Sequence, residues 1–261
     1  MSRIADTFQA LKQAGRTAIM PYLMTGFPER ESVLELMPAL EAAGADLFEL
    51  GVPFSDPLAD GATIQRAGEQ ALRNGVRVSY CLETVAAVRA KGVKAPIVMM
   101  GYYNPFLQYG IERLVREASE VGVDGLIVPD LPPEEGLELQ AICQKYGLDL
   151  IRFITPTTTE ERMVEVGQIA SGFIYCVSVN GVTGARTELW EGLPNFLQTV
   201  RSHTSVPLVV GFGISTAAHV QQVGQNADGA IVASALVNVL DHAAPEQRVE
   251  AAVEYIRSLR A

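Results

Sequence analysis

Between Ala18 and Val232 the chain alternates short, almost unbroken apolar runs with longer stretches in which apolar positions recur every three or four residues. The short runs are Ala18 to Thr25, Asp46 to Gly51, Pro96 to Gly101, Asp124 to Val128, Asp149 to Ile154, Gly172 to Val177, Pro207 to Gly211 and Asp228 to Val232. Short apolar runs of this kind read as strands buried on both faces, and the three-and-four spacing reads as helices with one apolar stripe. Regular alternation of the two predicts βα units around a parallel sheet. Eight runs predict that the sheet closes, giving an α/β fold: a single (β/α)8 TIM barrel over residues 1–261, with an additional N-terminal helix and extra short helices. Beyond it, Val249, Val253, Ile256 and Leu259 share one face of a helix expected to pack on the barrel wall.

A degenerate repeat supports this reading. Ala43-Gly44-Ala45-Asp46, Val121-Gly122-Val123-Asp124, Tyr146-Gly147-Leu148-Asp149 and Asn226-Ala227-Asp228 each join a helix to a strand. Glycine closes the first three helices in the left-handed conformation, Asn226 takes that place in the fourth, and the aspartate opens the strand. Such short αβ turns form one end of a barrel, so chemistry is expected at the other, where the strands' C-terminal ends meet the longer βα loops.

The unusual residues gather at those ends. Glu49 is a carboxylate inside an apolar run, where an ionised unpaired acid costs several kcal/mol. Asp60 follows in a loop stiffened by Pro53 and Pro57. Two carboxylates in different surroundings are a candidate acid/base pair. The plainer alternative is that Glu49 pairs with a lysine or arginine and Asp60 caps the next helix. The loop from Ser178 to Trp190 is the longest, polar and with two glycines, and reads as a lid. Gly211-Phe212-Gly213 and Val232-Ala233-Ser234 follow the last two strands, where barrels commonly place a phosphate against backbone N–H groups. Ordinary tight turns are the alternative there.

Composition narrows the classes. With 48% hydrophobic and 19% charged residues the chain is globular, and a net charge of -10 argues against a nucleic-acid surface. No run reaches the length of a membrane span and the N-terminal stretch lacks a signal-peptide core, which predicts a cytoplasmic location. Cys81, Cys143 and Cys176 are widely spaced and read as reduced buried thiols; His203, His219 and His242 form no ligand-like or triad-like cluster. No metal site is expected.

The segment Leu47-Phe-Glu-Leu-Gly-Val-Pro-Phe-Ser-Asp-Pro-Leu-Ala-Asp-Gly61 resembles the tryptophan synthase α-subunit family, as do Gly181-Val182-Thr183-Gly184 and Gly211-Phe212-Gly213-Ile214-Ser215, in the same order and spacing over nearly the whole chain. The resemblance implies a retro-aldol lyase that cleaves indole-3-glycerol phosphate to indole and glyceraldehyde 3-phosphate without metal or organic cofactor. It implies Glu49 as the acid/base and Asp60 as the carboxylate facing the indole N–H. Tyr175 would line the site, Tyr22, Met100, Ile127 and Phe212 would form the apolar indole pocket, and Gly184, Gly213, Ala233 and Ser234 would contact the phosphate. Thr183 is expected to hydrogen-bond Asp60 when the site closes. Two positions depart from the family pattern: Ala233 stands where glycine is common and Tyr22 where phenylalanine is common. The resemblance further implies a β-subunit partner that carries pyridoxal phosphate, in an α2β2 heterotetramer, with Pro53, Phe54, Pro57 and the Pro132-Pro133 loop as a docking surface. Another phosphate-binding barrel enzyme, or a weakly catalytic barrel that activates a partner enzyme, are the competing readings.

Overall fold

The computed structural model of the chain describes residues 2–178 and 189–260. Helix α1 (Arg3–Gln13) precedes strand β1 (Ala18–Met24), followed by α2 (Val33–Ala42), β2 (Phe48–Gly51), α3 (Ala62–Arg73), α4 (Val78–Ala90) and β3 (Ile97–Met100). Next come α5 (Tyr103–Tyr109), α6 (Ile111–Val121), β4 (Gly125–Ile127), α7 (Leu137–Tyr146), β5 (Asp149–Ile154) and α8 (Glu160–Ile169). The chain continues through β6 (Ile174–Val177), α9 (Leu193–His203), β7 (Leu208–Gly211), α10 (Ala217–Gly224), β8 (Gly229–Val232), α11 (Ser234–His242) and α12 (Arg248–Ser258). All neighbouring strands pair in parallel, and β8 returns to β1 through Ala18↔Gly229 to Pro21↔Val232, so the eight strands close into a barrel as the sequence predicts. The extra helices are α1 before the barrel, α3 with α4, α5 with α6, and α12 at the end.

With both faces of each strand covered, charge is nearly absent from the sheet: Glu49, Asp149 and Arg152 are the charged residues in its strands. Side chains alternate inward and outward, which places Tyr22, Glu49, Met100, Ile127, Phe153 and Tyr175 on the inner face near the strands' C-terminal ends. The cysteines are free and buried. The C-terminal face is as predicted at Ile256 and Leu259, while Val249 and Val253 are half-buried and Ala252 supplies a further contact.

The repeated aspartates do more than open strands. Asp46, Asp124 and Asp228 lie just ahead of β2, β4 and β8, and each accepts the N–H of a preceding strand: Ile19 at 2.9 Å, Ile97 at 2.8 Å and Leu208 at 2.7 Å. Each is also paired with arginine, Asp46 with Arg260, Asp124 with Arg89 and Arg3, and Asp228 with Arg201. Gly44, Gly122 and Gly147 have the expected positive φ of 110°, 93° and 76°. Asn226 does not: α10 ends at Gly224 with Gln225 in the right-handed region, and Asn226 bonds back to the Val223 carbonyl instead. That short helix unwinds without a left-handed residue.

Asp124 is the most enclosed of these carboxylates. D124A leaves the Ile97 N–H without its acceptor and the Arg89 guanidinium without its carboxylate counter-charge, and is expected to cost about 3–5 kcal/mol in urea denaturation. E69A, which breaks only an exposed pair with Arg73, is expected to leave the midpoint in place.

Candidate active site

At the C-terminal end of the barrel the inner side chains line a cavity that opens between the βα loops. Ten residues singled out from the sequence line it: Tyr22, Glu49, Asp60, Met100, Ile127, Tyr175, Phe212, Gly213, Ala233 and Ser234. Thr183 and Gly184 lie outside the described residues, as does most of the lid-like loop. Ile64, Pro129, Phe153, Ser215 and Ile231 also line the cavity. Phe153 and Ile231 carry the inward alternation of β5 and β8, a signal present in the sequence, whereas Ile64 reaches the cavity from α3 through tertiary packing.

Glu49 is 3% exposed, and its Oε2 has no hydrogen-bond partner. The plainer reading therefore fails at this residue: among the described residues no lysine or arginine neutralises it. Burial, with the negative charge of Asp60 as a second cause, pushes its carboxyl up to about 8. Asp60 does not cap α3 either, because the N-cap is Gly61 and no side chain satisfies it. Burial raises Asp60 to about 6, held back by a hydrogen bond from the Tyr102 hydroxyl. Near neutral pH Glu49 thus holds its proton while Asp60 is mostly ionised.

Tyr102 is a site residue that the sequence marks only as one of the unusual residues in the loop after β3, with no role. Its hydroxyl also accepts the Ala59 N–H at 3.0 Å, and its ring lies 5.4 Å from that of Phe54, so it pins both ends of the loop that carries Asp60. The aromatic pair after β3 is visible in the sequence, but only the fold shows that the first of the two reaches across to the loop after β2.

Two glycines make room for the inner tyrosines. A Cβ on Gly51 would sit 2.1 Å from the Tyr22 hydroxyl, and one on Gly211 2.1 Å from the Tyr175 hydroxyl. Burial and the two nearby carboxylates push both phenols well above their usual range, so they stay neutral. The Tyr175 ring lies tilted 4.8 Å from that of Phe153 and edge-on 6.4 Å from that of Phe212. These rings, with Met100, Ile127 and Ile64, make one side of the cavity a slot suited to a flat apolar ring.

The opposite side is backbone. Phe212 has φ 79°, the one non-glycine residue with positive φ among those described, and Gly213 follows at 78°. A left-handed phenylalanine costs of order 1 kcal/mol or more, and here the strain directs backbone toward the cavity. Ser178 Oγ donates to the Gly211 and Phe212 carbonyls at 3.0 and 2.8 Å, fixing that turn. Helix α11 begins at Ser234 without a side-chain cap, so its first N–H groups face the cavity unsatisfied, a natural anion site. No lysine or arginine lines the cavity among the described residues. Nor is there, among them, a group of three or more His, Cys, Asp or Glu placed to hold a metal ion, or a helix long and apolar enough to cross a membrane.

Folding raises the Glu49 carboxyl from 4.5 to about 8, so the folded state takes up a proton between those values. The group's contribution to stability is full below the lower value and is lost as pH rises through the upper. E49Q has no such proton to lose. At about 1.4 kcal/mol per pH unit, it is expected to gain a few kcal/mol on wild type by about pH 9 and little near pH 5, read from denaturation at both.

The family model described as tryptophan synthase alpha chain matches residues 8–260. A tryptophan synthase alpha chain from Roseiflexus sp. (strain RS-1) is 68% identical over 260 residues, covering 100% of both chains; one from Chloroflexus aggregans is 58% identical over 99% of this chain and 97% of its own. Among solved structures, tryptophan synthase subunit alpha from Legionella pneumophila str. Paris superposes with a TM-score of 0.91 at 37% identity, over 100% of this chain and 97% of the other. A chain of Mycobacterium tuberculosis tryptophan synthase does so with 0.91 at 37%, over 99% and 96%. The cavity, the sequence and the fold agree: this chain belongs to the tryptophan synthase alpha chain family, a family of lyases.

Proposed function

We propose that the cavity cleaves indole-3-glycerol phosphate to indole and glyceraldehyde 3-phosphate, and that Glu49 moves the protons. The observation that carries the reading is a buried carboxyl at Glu49, its Oε2 without a partner and no cation beside it among the described residues, lining the same apolar slot as a second carboxyl at Asp60. Neutral Glu49 gives its proton to indole C3, making the ring an electron sink. The resulting carboxylate takes the proton of the side-chain hydroxyl as the carbon–carbon bond breaks. The bonding pair returns to the ring, the aldehyde forms, and Glu49 ends neutral as it began. Ionised Asp60 accepts the indole N–H and stabilises the positive ring, a fixed charge aimed where charge develops. Tyr102 holds Asp60 in place.

The phosphate is assigned to the backbone N–H groups at Gly213, Ala233 and Ser234, with Gly184 as an additional contact. Ala233 is the N-cap of α11 at φ -110° and ψ -86°, a negative φ that does not call for glycine. Tyr22 adds a hydroxyl to the indole wall, turned toward Met24 Sδ at 3.8 Å rather than left without a partner. This chemistry needs neither metal nor organic cofactor in this chain. Pyridoxal phosphate is assigned to a β subunit, with which the chain would form an α2β2 heterotetramer in the cytoplasm. Leu58, 84% exposed in the same loop as Asp60, is an apolar contact suited to docking there.

Four outcomes test this reading. E49Q should retain its fold and lose at least about 10²-fold in indole formation, because an amide keeps the shape and cannot shuttle a proton; a well-folded variant with more than about a tenth of wild-type turnover contradicts the assignment. The pH profile of kcat/KM should be a bell, rising as Asp60 ionises near about 6 and falling as Glu49 loses its proton near about 8. In Y102F the acidic limb should move to higher pH, since Asp60 loses the hydrogen bond that favours its charge, while the basic limb stays; an unmoved acidic limb contradicts the role given to Tyr102. Titration with substrate and its dephosphorylated form should show at least about a tenfold loss of affinity for the latter, equivalent to about 1.4 kcal/mol, and equal affinities would place the anion elsewhere.

A further inference from the structure

The turn after β7 sets two left-handed residues in succession, Phe212 and Gly213, and such a backbone persists only where its surroundings hold it. Ser178 holds the entry, through its hydroxyl on the Gly211 and Phe212 carbonyls. The exit is held from a distant part of the chain. The Tyr255 hydroxyl, on α12, donates to the Ser215 carbonyl at 3.0 Å, while the Ser215 N–H donates to His219 Nδ1 at 3.3 Å. That carbonyl lies ahead of Thr216, the N-cap of α10, and accepts no backbone N–H among the described residues. Burial pushes the Tyr255 phenol above its usual range, so its oxygen keeps the proton that it donates.

Helix α12 follows the eight βα units, yet it reaches both walls of the phosphate position. It packs on α11, whose start at Ser234 is one wall, and at its own start Arg248 Nε donates to the Leu240 carbonyl of α11 at 3.0 Å. About two turns further along, and so on the same side of the helix, Tyr255 packs against the core and reaches the other wall at Ser215. Gly213, Ile214 and Ser215 line the cavity, and the N–H groups of Gly213 and Ile214 make no backbone hydrogen bond among the described residues. Tyr255 is not among the residues that line it.

We propose that Tyr255 is a positioning residue for the substrate's phosphate: by fixing the Ser215 carbonyl it keeps the Gly213 and Ile214 N–H groups oriented for the anion, without touching the substrate. The inference rests on the phosphate assignment made above and adds to it a determinant on the C-terminal helix. Backbone donors favour an anion most when they are already aimed before it arrives, because no binding energy is then spent on ordering them. A turn released at its exit loses that advantage while the indole slot, built from the inner strand residues and Ile64, keeps its shape. The loss therefore falls on the phosphate and not on the ring.

The test separates phosphate binding from folding. In the full 15N-labelled chain the Gly213 N–H resonance is followed during titration with inorganic phosphate, against sodium chloride at equal ionic strength, in wild type, Y255F and E254A, the last an exposed neighbour on the same helix. Wild type and E254A should reach half of a saturable shift at the same phosphate concentration, and Y255F should need about 3- to 10-fold more, the scale set by one lost hydrogen bond. In turnover Y255F should raise KM for indole-3-glycerol phosphate by the same factor with kcat kept, and leave the affinity for the dephosphorylated form at its wild-type value. A Y255F midpoint equal to that of wild type overturns the proposal. So does an equal loss for the two substrates, which would make Tyr255 a support of the barrel alone. Should Y255F not fold, Y255M removes the same donor and is judged by the same midpoint. A wild-type Gly213 resonance that ignores phosphate refutes the phosphate assignment itself and the proposal with it, an outcome read from wild type without any variant.

Discussion

The return of β8 to β1 is the constraint on which the molecule depends. Once Ala18 pairs with Gly229 and the register runs on to Pro21 and Val232, the interior of the barrel is fixed, and each strand's inward residues are committed to one shared space. At the strands' starting ends that closure is secured by carboxylates clamped between backbone N–H groups and arginines, as at Asp46, Asp124 and Asp228. Those pairs lie far from the chemistry. Their consequence is that the other end is free to carry loops and unsatisfied groups, because stability does not rest on it.

What closure does to Glu49 follows from electrostatics. A glutamate near the end of an open sheet would find water, but one inside a closed ring faces Tyr22, Tyr175 and aliphatic side chains, and its carboxyl rises to about 8. Asp60 experiences less of this, because it sits on a loop and takes a hydrogen bond from Tyr102. The same strand-end geometry separates two acids of nearly equal intrinsic strength into a proton donor and a fixed negative charge. The glycines at Gly51 and Gly211 belong to that account, since without them the tyrosines that enclose Glu49 have no room.

Much of this is legible in the amino-acid sequence. The eight strands follow from runs too short and too apolar for surface helices, and Glu49 is conspicuous because it interrupts one. The glycines ahead of Asp46, Asp124 and Asp149 announce their turns through the left-handed conformation they adopt. What sequence does not carry is whatever depends on contact between distant segments. The aspartates reach back to strands 20 or more residues away, at Ile19, Ile97 and Leu208. Tyr102 touches a loop 43 residues earlier. Asn226 has the right chemistry for a left-handed cap, but the short α10 ends without one. Arg152 lies in the apolar run of β5, and only the packing of α7 against β5 shows what its side chain is buried against.

The central claim is that Glu49 is a neutral acid at neutral pH because it is enclosed without a cation. The most direct measurement is the carboxyl 13C resonance of Glu49 in the labelled chain, assigned by its absence in E49Q and followed from acid to base. A single resonance titrating near about 8, and moving to lower pH when D60N removes the neighbouring charge, is the result this account predicts. A midpoint in the ordinary carboxylate range, near 4.5, would contradict it, and with it the proton inventory of the proposed reaction.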